Sequence, residues 1–199
     1  MPFVVVENPE IVTISYRQTK GDQDYGSCLW ARFNFDTKHY HLSIESDCGS
    51  YGNGWCPTPD HETFLHLCSR FDEGYLLDKI DNRSVVDGEA TYKALMEYLE
   101  DYDSIAFEAL SEIKREELEN ACRTNRTADG VMHDVLNDLD DTAFPSCISM
   151  YDIACCIEMT YPRGAKKVVQ IFKDYIQPEL RKISGYKVVS NAENHNKTG

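Results

Sequence analysis

The chain has 199 residues, of which 42% are hydrophobic and 11% aromatic, and it carries a net charge of −14. This composition is sufficient for a hydrophobic core and excludes a wholly disordered chain. No stretch approaches the roughly 18 apolar residues that a membrane-spanning helix needs, and the apolar start lacks the basic leader of a signal peptide. We therefore expect a cytosolic protein that does not enter membranes.

The length and the absence of a long linker predict a single α+β domain over residues 1–190. Within it we expect a sheet-containing part at 1–86, packed with a predominantly helical part at 87–190. The polar, patternless residues 191–199 are expected to form a flexible tail.

The negative charge is concentrated in the middle of the chain. Residues 87–141 contain 16 acidic and 5 basic side chains. Such a field repels the phosphates of nucleic acids and attracts basic surfaces. We expect a protein or ribonucleoprotein partner with a basic surface, and no direct binding of nucleic acid. The alternative is that the charge only keeps the protein in solution.

The C-terminal region has the opposite charge, with 8 basic and 3 acidic side chains in residues 163–199. Its cations can touch nucleic acid or an acidic partner, or support a homodimer through opposite patches. They can also pair internally with the acidic segment, which is the interpretation we favour. The residues concerned are Arg163, Lys166, Lys167, Lys173, Arg181 and Lys182.

Alternation of apolar and polar residues predicts about three antiparallel strands near the N-terminus. The first covers residues 10–16. The next two, 28–36 and 39–47, flank the polar turn Asp36–Lys38 and form a β-hairpin.

Helical periodicity follows the hairpin. Helices are predicted after Pro59, with Asp60 as N-cap, from Asp87 with a break near residues 103–104, from Asp129, and after Pro162. Pro178 is expected to kink or restart the last helix because it lacks an amide hydrogen. The segment EGYLLDKI, residues 73–80, fits either a short strand or a connector.

The stretch SDCGSYGNGWCPTPD, residues 46–60, is rich in glycine and proline. A phosphate-binding loop needs a strand, a glycine turn and a helix in immediate succession, and here residues 55–59 intervene before any helix. A turn-forming role is therefore favoured. We expect Tyr51 either to pack inward or to contact a partner.

Potential zinc ligands are frequent in the same region, but their spacing is unfavourable. His61 and His66 lie five residues apart and would point to different sides of a helix, while Cys48 and Cys56 are too far apart for a zinc knuckle. We predict no metal ligand, no cofactor and no catalytic residue. The ligands considered are His39, His41, Cys48, Cys56, His61, His66 and Cys68.

The eight cysteines are expected to be reduced, since a cytosolic chain of this length uses cysteine mainly as a small buried residue.

Three strings resemble a family of small proteins encoded by bacteriophages and prophages: LWARFNFD…HYHLSIESDCGSYGNGW, FLHLCSRFDEGYLLDKI and DGEATYKALMEYLE. The resemblance spans residues 28–100 and brings no established activity. It implies that the loop is a shared structural device that links the hairpin to the next helix, with a buried Trp55 whose N–H is bonded to the Asp47 carboxylate. The loop residues are Asp47, Gly49, Gly52, Gly54 and Trp55.

Small acidic phage proteins are similar to inhibitors of host defence, including anti-CRISPR proteins. The resemblance and the charge together suggest a binding protein of the host bacterial cytoplasm, whose carboxylates compete with phosphates for a basic nucleic-acid-binding site. The partner-binding residues expected are Glu112, Glu116, Glu119, Asp134, Asp138, Asp141 and Tyr51. The alternative is a metal-dependent phage enzyme, such as a nuclease or a nucleotide-signal hydrolase, with His61, His66 and nearby Cys or Asp side chains around a metal.

Overall fold

A computed structural model describes residues 10–22, 24–57, 62–140, 142, 144 and 148–184. The chain divides into two compact units, which are unit 1 (Met1–Asn82 and Arg163–Gly199) and unit 2 (Arg83–Pro162). The α+β class is confirmed, because an antiparallel sheet is followed by a mostly helical second half. The C-terminal helices group with the sheet, whereas the sequence analysis placed them in the helical part.

The larger sheet is a four-stranded antiparallel meander in the order β1-β2-β3-β4. Its strands are β1 (Ile11–Arg17), β2 (Trp30–Asp36), β3 (His41–Ser46) and β4 (Gly49–Gly54). The predicted hairpin is confirmed as β2 and β3. The structure has one strand more than the expected number of about three, because the glycine-rich segment forms β4. Its sequence GSYGNG has no apolar alternation, so it carries no strand signal.

The other elements follow in chain order. They are α1 (Phe64–Cys68), α2 (Glu73–Ile80), β5 (Val85–Val86), α3 (Gly88–Tyr102), α4 (Ser104–Glu108), α5 (Glu112–Thr124), α6 (Ala128–Asp140), α7 (Met150–Cys156), β6 (Met159–Thr160), α8 (Arg163–Ile171), a π-helical segment (Phe172–Ile176) and α9 (Gln177–Ile183). Among the described residues, no helix is both long and apolar enough to span a bilayer.

One face of the sheet forms the core of unit 1. The β2–β3 register pairs Phe33 with Ile44 and Phe35 with Leu42, so that all four side chains are buried on one face. The ring of Phe172 lies 5.9 Å from that of Phe33. Burial of each such side chain stabilises the fold by about 1.5–3 kcal/mol.

Short polar side chains decide where the helices of unit 1 begin. The Thr63 hydroxyl accepts a hydrogen bond from the His66 amide, so α1 begins at Phe64; the predicted cap Asp60 lies outside the described residues. The Asp72 carboxylate accepts from the Tyr75 amide at 2.7 Å. This cap makes EGYLLDKI a helix, although the sequence analysis left it between a strand and a connector.

The expectation for Pro178 is confirmed. The backbone changes to a π-helix over Phe172–Ile176 and α9 begins at Gln177, one residue before the proline. Pro178 has no amide hydrogen to bond the carbonyl one turn earlier, and the wider turn accommodates this loss.

Polar side chains of the C-terminal helices hold the turn between α1 and α2. The buried Gln177 amide donates to the Phe71 carbonyl at 2.8 Å, and the Lys173 ammonium donates to the same oxygen at 3.0 Å. The Arg181 guanidinium donates to the Ser69 carbonyl at 3.2 Å. These side-chain bonds satisfy turn carbonyls that accept no hydrogen bond from the backbone of the described strands and helices.

The first and last segments of unit 2 pair with each other. Strands β5 and β6 pair antiparallel, with Val85 opposite Thr160 and Val86 opposite Met159. The Glu158 amide donates to the Thr91 hydroxyl at 3.0 Å, which fastens the exit of the unit to α3. The buried side chains of its core include Leu95, Leu99, Leu118, Val131, Val135 and Ile153.

Unit 2 has paired ends and a hydrophobic core of its own, and this leads to a first prediction. A fragment of residues 83–162 should fold alone and show helical circular dichroism with a cooperative thermal transition. The matched fragment 83–157, which lacks β6 and Glu158, should melt at a lower temperature. A fragment 83–162 without a cooperative transition would contradict the prediction.

A second prediction concerns the close packing of α8. A side chain at Gly164 would overlap the Cys48 carbonyl oxygen, which belongs to the turn between β3 and β4. Gly164→Ala should therefore destabilise the protein by about 1–3 kcal/mol in urea unfolding. The matched control is Gly74→Ala, also at the second residue of a helix, where the nearest atom lies 3.6 Å away. That change should be neutral or stabilising by up to about 1 kcal/mol, and equal losses in both variants would refute the packing argument.

Candidate functional site

The acidic character of the protein resides in unit 2. Its 80 residues contain 18 acidic and 6 basic side chains, a net charge of −12, whereas unit 1 has 16 acidic and 14 basic side chains and a net charge of −2. The two units therefore differ in what they attract. Unit 2 is the candidate binding unit for a basic partner.

Helix α5 presents two of the expected contact residues to solvent. Glu112 and Glu116 are one turn apart and exposed. Within the described ranges, no ion pair involves either carboxylate. The nearby Arg115 is occupied elsewhere, since its guanidinium donates to the Phe107 carbonyl at 2.8 Å and lies 4.3 Å from the Phe107 ring. The negative charges of Glu112 and Glu116 are thus not neutralised by Arg115.

Glu119 differs from these two residues. Its carboxylate pairs with Arg123 at 2.8 Å, one turn further along α5. A partner would have to displace this arginine before using the carboxylate. The ion pair therefore makes Glu119 a poorer contact residue than Glu112 and Glu116.

Asp134 and Asp138 line a separate groove between α5 and α6. The groove has a volume of about 360 Å³, and Glu117 of α5 contributes a third carboxylate. Asp134 accepts a hydrogen bond from the Asn125 amide at 2.8 Å, and this bond together with His133 lowers the pKa of Asp134. Burial, reinforced by Glu117, raises the pKa of Asp138. Asp141 lies outside the described residues.

The turn between β3 and β4 is organised by the Asp47 carboxylate. It accepts hydrogen bonds from the Leu29 amide at 2.8 Å, the Cys28 thiol at 3.2 Å and the Trp30 amide at 3.4 Å. Burial alone would raise the pKa of Asp47, but these bonds outweigh it and the pKa is lowered. The carboxylate fixes the start of β2 to the end of β3.

The expected bond between Asp47 and Trp55 is wrong. The Trp55 Nε1 atom donates to the Tyr75 hydroxyl at 2.8 Å, and the indole stacks on Phe71 with ring centroids 5.1 Å apart. Trp55 is also only half-buried rather than buried. Strand β4 carries Trp55 away from the turn that holds Asp47, which sequence proximity does not reveal.

Tyr51 and the glycines of β4 serve close packing. The Tyr51 hydroxyl donates to the Cys48 carbonyl at 3.0 Å, and the ring is half-buried, so this residue packs inward. Gly49 has a φ of +131°, which favours glycine, and a side chain at Gly52 would press on the Leu42 carbonyl. Gly54 ends β4 at an exposed position.

Two cysteines flank the Asp47 carboxylate. The possible ligand atoms of Cys28, Asp47 and Cys48 all lie within 4.8 Å of one another. Cys28 is buried and Cys48 half-buried. Burial, together with Cys48 and Asp47, strongly raises the pKa of the Cys28 thiol. The seven described cysteines are free thiols.

The histidines and cysteines considered as zinc ligands from the sequence do not come together in one cluster where the structure describes them. His39 contacts Asp36 at 2.8 Å and His66 contacts Glu62 at 3.0 Å. Cys68 is buried in α1. His61 lies outside the described residues, so the alternative site built on His61 and His66 is not described.

Four of the six basic residues considered in the last helices have partners within unit 1. Lys167 pairs with Asp24, and Lys182 pairs with Glu179 at 2.6 Å. Lys173 and Arg181 donate to backbone carbonyls in the turn between α1 and α2. These partners are not in the acidic segment 87–141, with which the sequence analysis favoured pairing.

A family model described as a phage family matches residues 6–182. The chain belongs to this phage protein family. The resemblance seen over residues 28–100 is confirmed at this level and extends over most of the chain. No curated protein and no solved structure matches it.

Sequence reasoning missed Glu117 and Cys28 in this phage-family protein. Glu117 follows the expected contact residue Glu116, but its place on the helix turns it toward α6. Cys28 is 19 residues from Asp47 and joins it only through the β2–β3 pairing. The alternating apolar residues of the two strands predict that the strands pair. They do not predict which residue of one strand lies opposite which residue of the other, so the contact between Cys28 and Asp47 could not be predicted.

The Asp47 bonds give a pH-dependent prediction. A carboxylate with a lowered pKa stabilises the fold above its unfolded-state pKa of about 4, and the stabilisation is lost as the pH falls through the folded-state value. Asp47→Asn should therefore be less stable than the parent protein at pH 7, and the difference should narrow below about pH 4. Urea unfolding at several pH values measures this.

The matched control is Asp101→Asn, at an exposed carboxylate near the end of α3. It should leave the free energy of unfolding nearly unchanged at neutral pH. If the loss of unfolding free energy in Asp47→Asn does not depend on pH, the ionised Asp47 carboxylate does not stabilise the turn as we infer.

Proposed function

We propose that this phage-family protein acts by binding, and that unit 2 occupies a basic nucleic-acid-binding surface of a host defence complex in the bacterial cytoplasm. The observation that supports this most directly is the concentration of charge, with −12 of the net −14 in unit 2. A surface of this kind competes with phosphates for lysine and arginine side chains.

The cations of unit 2 neutralise few of its 18 carboxylates. Lys93, Lys114 and Arg123 pair with Glu97, Glu117 and Glu119. Arg83 lies over the Tyr161 ring, and Arg115 is bonded to carbonyls. In the part of unit 2 that the structure describes, most carboxylates are therefore not joined to a cation of the unit and remain available to a partner.

Some carboxylates have structural tasks and do not count toward this surface. Asp87 and Asp103 cap α3 and α4, and Asp152 forms a capping box with Ser149. The exposed carboxylates of α5 have no such task, because Ser111 provides the cap of that helix. This makes Glu112 and Glu116 the best candidates for contact.

Exposed apolar side chains accompany the charge. Ile105 is 80% exposed, Ile113 68% and Tyr151 77%. Ile113 lies next to Glu112 and three residues before Glu116, so apolar and acidic groups share the first turns of α5. Protein interfaces combine apolar contacts with charges that steer association, which favours a protein surface over a purely solvating role.

The proposal predicts that charge reversal on α5 removes inhibition. The variant Glu112→Lys/Glu116→Lys should lose at least about tenfold in affinity for a nucleic-acid-binding defence complex, since two attractive contacts become repulsive. Two measurements check this. They are phage plating on a host with an active CRISPR system, and competition with nucleic acid for the purified complex.

The matched control is Glu10→Lys/Glu73→Lys in unit 1. It makes the same change in net charge, and Glu73 begins α2 just as Glu112 begins α5. The control should inhibit like the parent protein. Equal inhibition by all three proteins would dismiss the acidic surface, and a parent protein that never restores plating would dismiss this host defence target.

A further inference from the structure

We propose that Cys28, Asp47 and Cys48 of unit 1 form a binding site for one thiophilic divalent cation, such as Zn²⁺. Two sulfur atoms and one carboxylate oxygen converge within 4.8 Å of one another. Two thiolates with a carboxylate are a donor set that suits zinc and disfavours magnesium and calcium. This site is independent of the acidic surface of unit 2.

The spacing of the three groups is close to that of a bound ion. With Zn–S bonds of about 2.3 Å and Zn–O bonds of about 2.1 Å, ligand atoms in a tetrahedral site lie roughly 3.5–3.8 Å apart. The Cys28 sulfur lies 3.2 Å from an Asp47 oxygen. Small rotations of these side chains are therefore sufficient to admit an ion.

The three ligands lie in short connections directly beside strands of the sheet. Cys28 lies two residues before β2, while Asp47 and Cys48 form the turn between β3 and β4. The Leu29 amide donates to Oδ2 of Asp47 at 2.8 Å, whereas Oδ1 faces Cys28 and accepts only a longer bond, at 3.4 Å, from the Trp30 amide. Such bonds to the far side of a ligand orient it toward a metal.

A cavity of about 600 Å³ adjoins Cys48 and provides room for a fourth ligand. Ser27 and Asp24 line it. Because Asp24 pairs with Lys167, a water molecule is the fourth ligand that completes a tetrahedral site. The same cavity gives an ion a path from solvent. Three protein ligands with one open position is a common arrangement for zinc.

The local charge also suits a loaded site. Metal binding displaces the protons of both thiols to solvent. The resulting two thiolates and the carboxylate sum to −3, and a divalent cation leaves −1. Arg163 and Lys166 line the same cavity and offset this remaining charge, while Lys167 is paired with Asp24. The close approach of Gly164 to Cys48 brings the start of α8, which carries these cations, against the turn.

Cobalt spectroscopy on the full chain tests the site. Protein purified under reducing conditions and freed of metal with a chelator is titrated with Co²⁺ and then with Zn²⁺. We expect a thiolate-to-cobalt charge-transfer band with tetrahedral d–d bands, saturation at one Co²⁺ per chain, and displacement by Zn²⁺. Zn²⁺ should also raise the melting temperature.

Variants separate this site from the other thiols. Cys28→Ser, Cys48→Ser and Asp47→Asn should each weaken Co²⁺ binding at least tenfold, whereas Cys56→Ser and Cys155→Ser, at exposed cysteines, should not. Asp47→Asn keeps both thiols and an acceptor for the Leu29 amide, so it remains informative if Cys28→Ser does not fold.

Two results would overturn the proposal. One is a cobalt spectrum that persists in both Cys28→Ser and Cys48→Ser. The other is a folded protein, with Cys28 and Cys48 kept as free thiols by reductant, that takes up no metal.

Discussion

The close approach of Gly164 to the Cys48 carbonyl is the contact on which the arrangement of unit 1 depends. A helix start can lie this near a β-turn only where no side chain intervenes, and glycine is the one residue that permits it. Because α8 is anchored there, the π-helical segment covers the sheet with Phe172, and α9 delivers Gln177 to the Phe71 carbonyl. The same contact places cations beside the only cluster of possible metal ligands found in the described residues.

Unit 2 follows a different principle, in which a closed helical core carries nearly all of the net charge. Its ends pair as β5 and β6, so the acidic helices are held by their own core and by caps such as Asp87 and Asp103. Like charges on neighbouring helices repel, and the buried apolar contacts of Leu118 and Val135 must offset this cost. A protein that only needed solubility would not have to concentrate its charge in one unit, which is why we connect unit 2 with a basic partner.

The division of charge separates the two proposed sites, because each lies in a different unit. Unit 2 offers carboxylates and exposed apolar side chains, which suit a protein surface. Unit 1 is nearly neutral and holds thiols and cations at one corner of its sheet. A metal at that corner would fasten the start of β2 to the turn after β3, and would stabilise the sheet without any role in the contacts of α5.

The sequence by itself determined the α+β class, the β2–β3 hairpin, the break before α4 and the acidic character of the middle segment. These features depend on local periodicity, capping residues and charge, all of which are readable within a few residues. Tertiary structure alone decided that GSYGNG forms a strand, that Trp55 bonds to Tyr75, and that Cys28 meets Asp47 and Cys48. It also decided that Glu117 turns toward α6, where it shares a groove with Asp134 and Asp138. Those outcomes depend on partners many residues away or on the rotation of a helix about its axis, and local sequence carries no record of either.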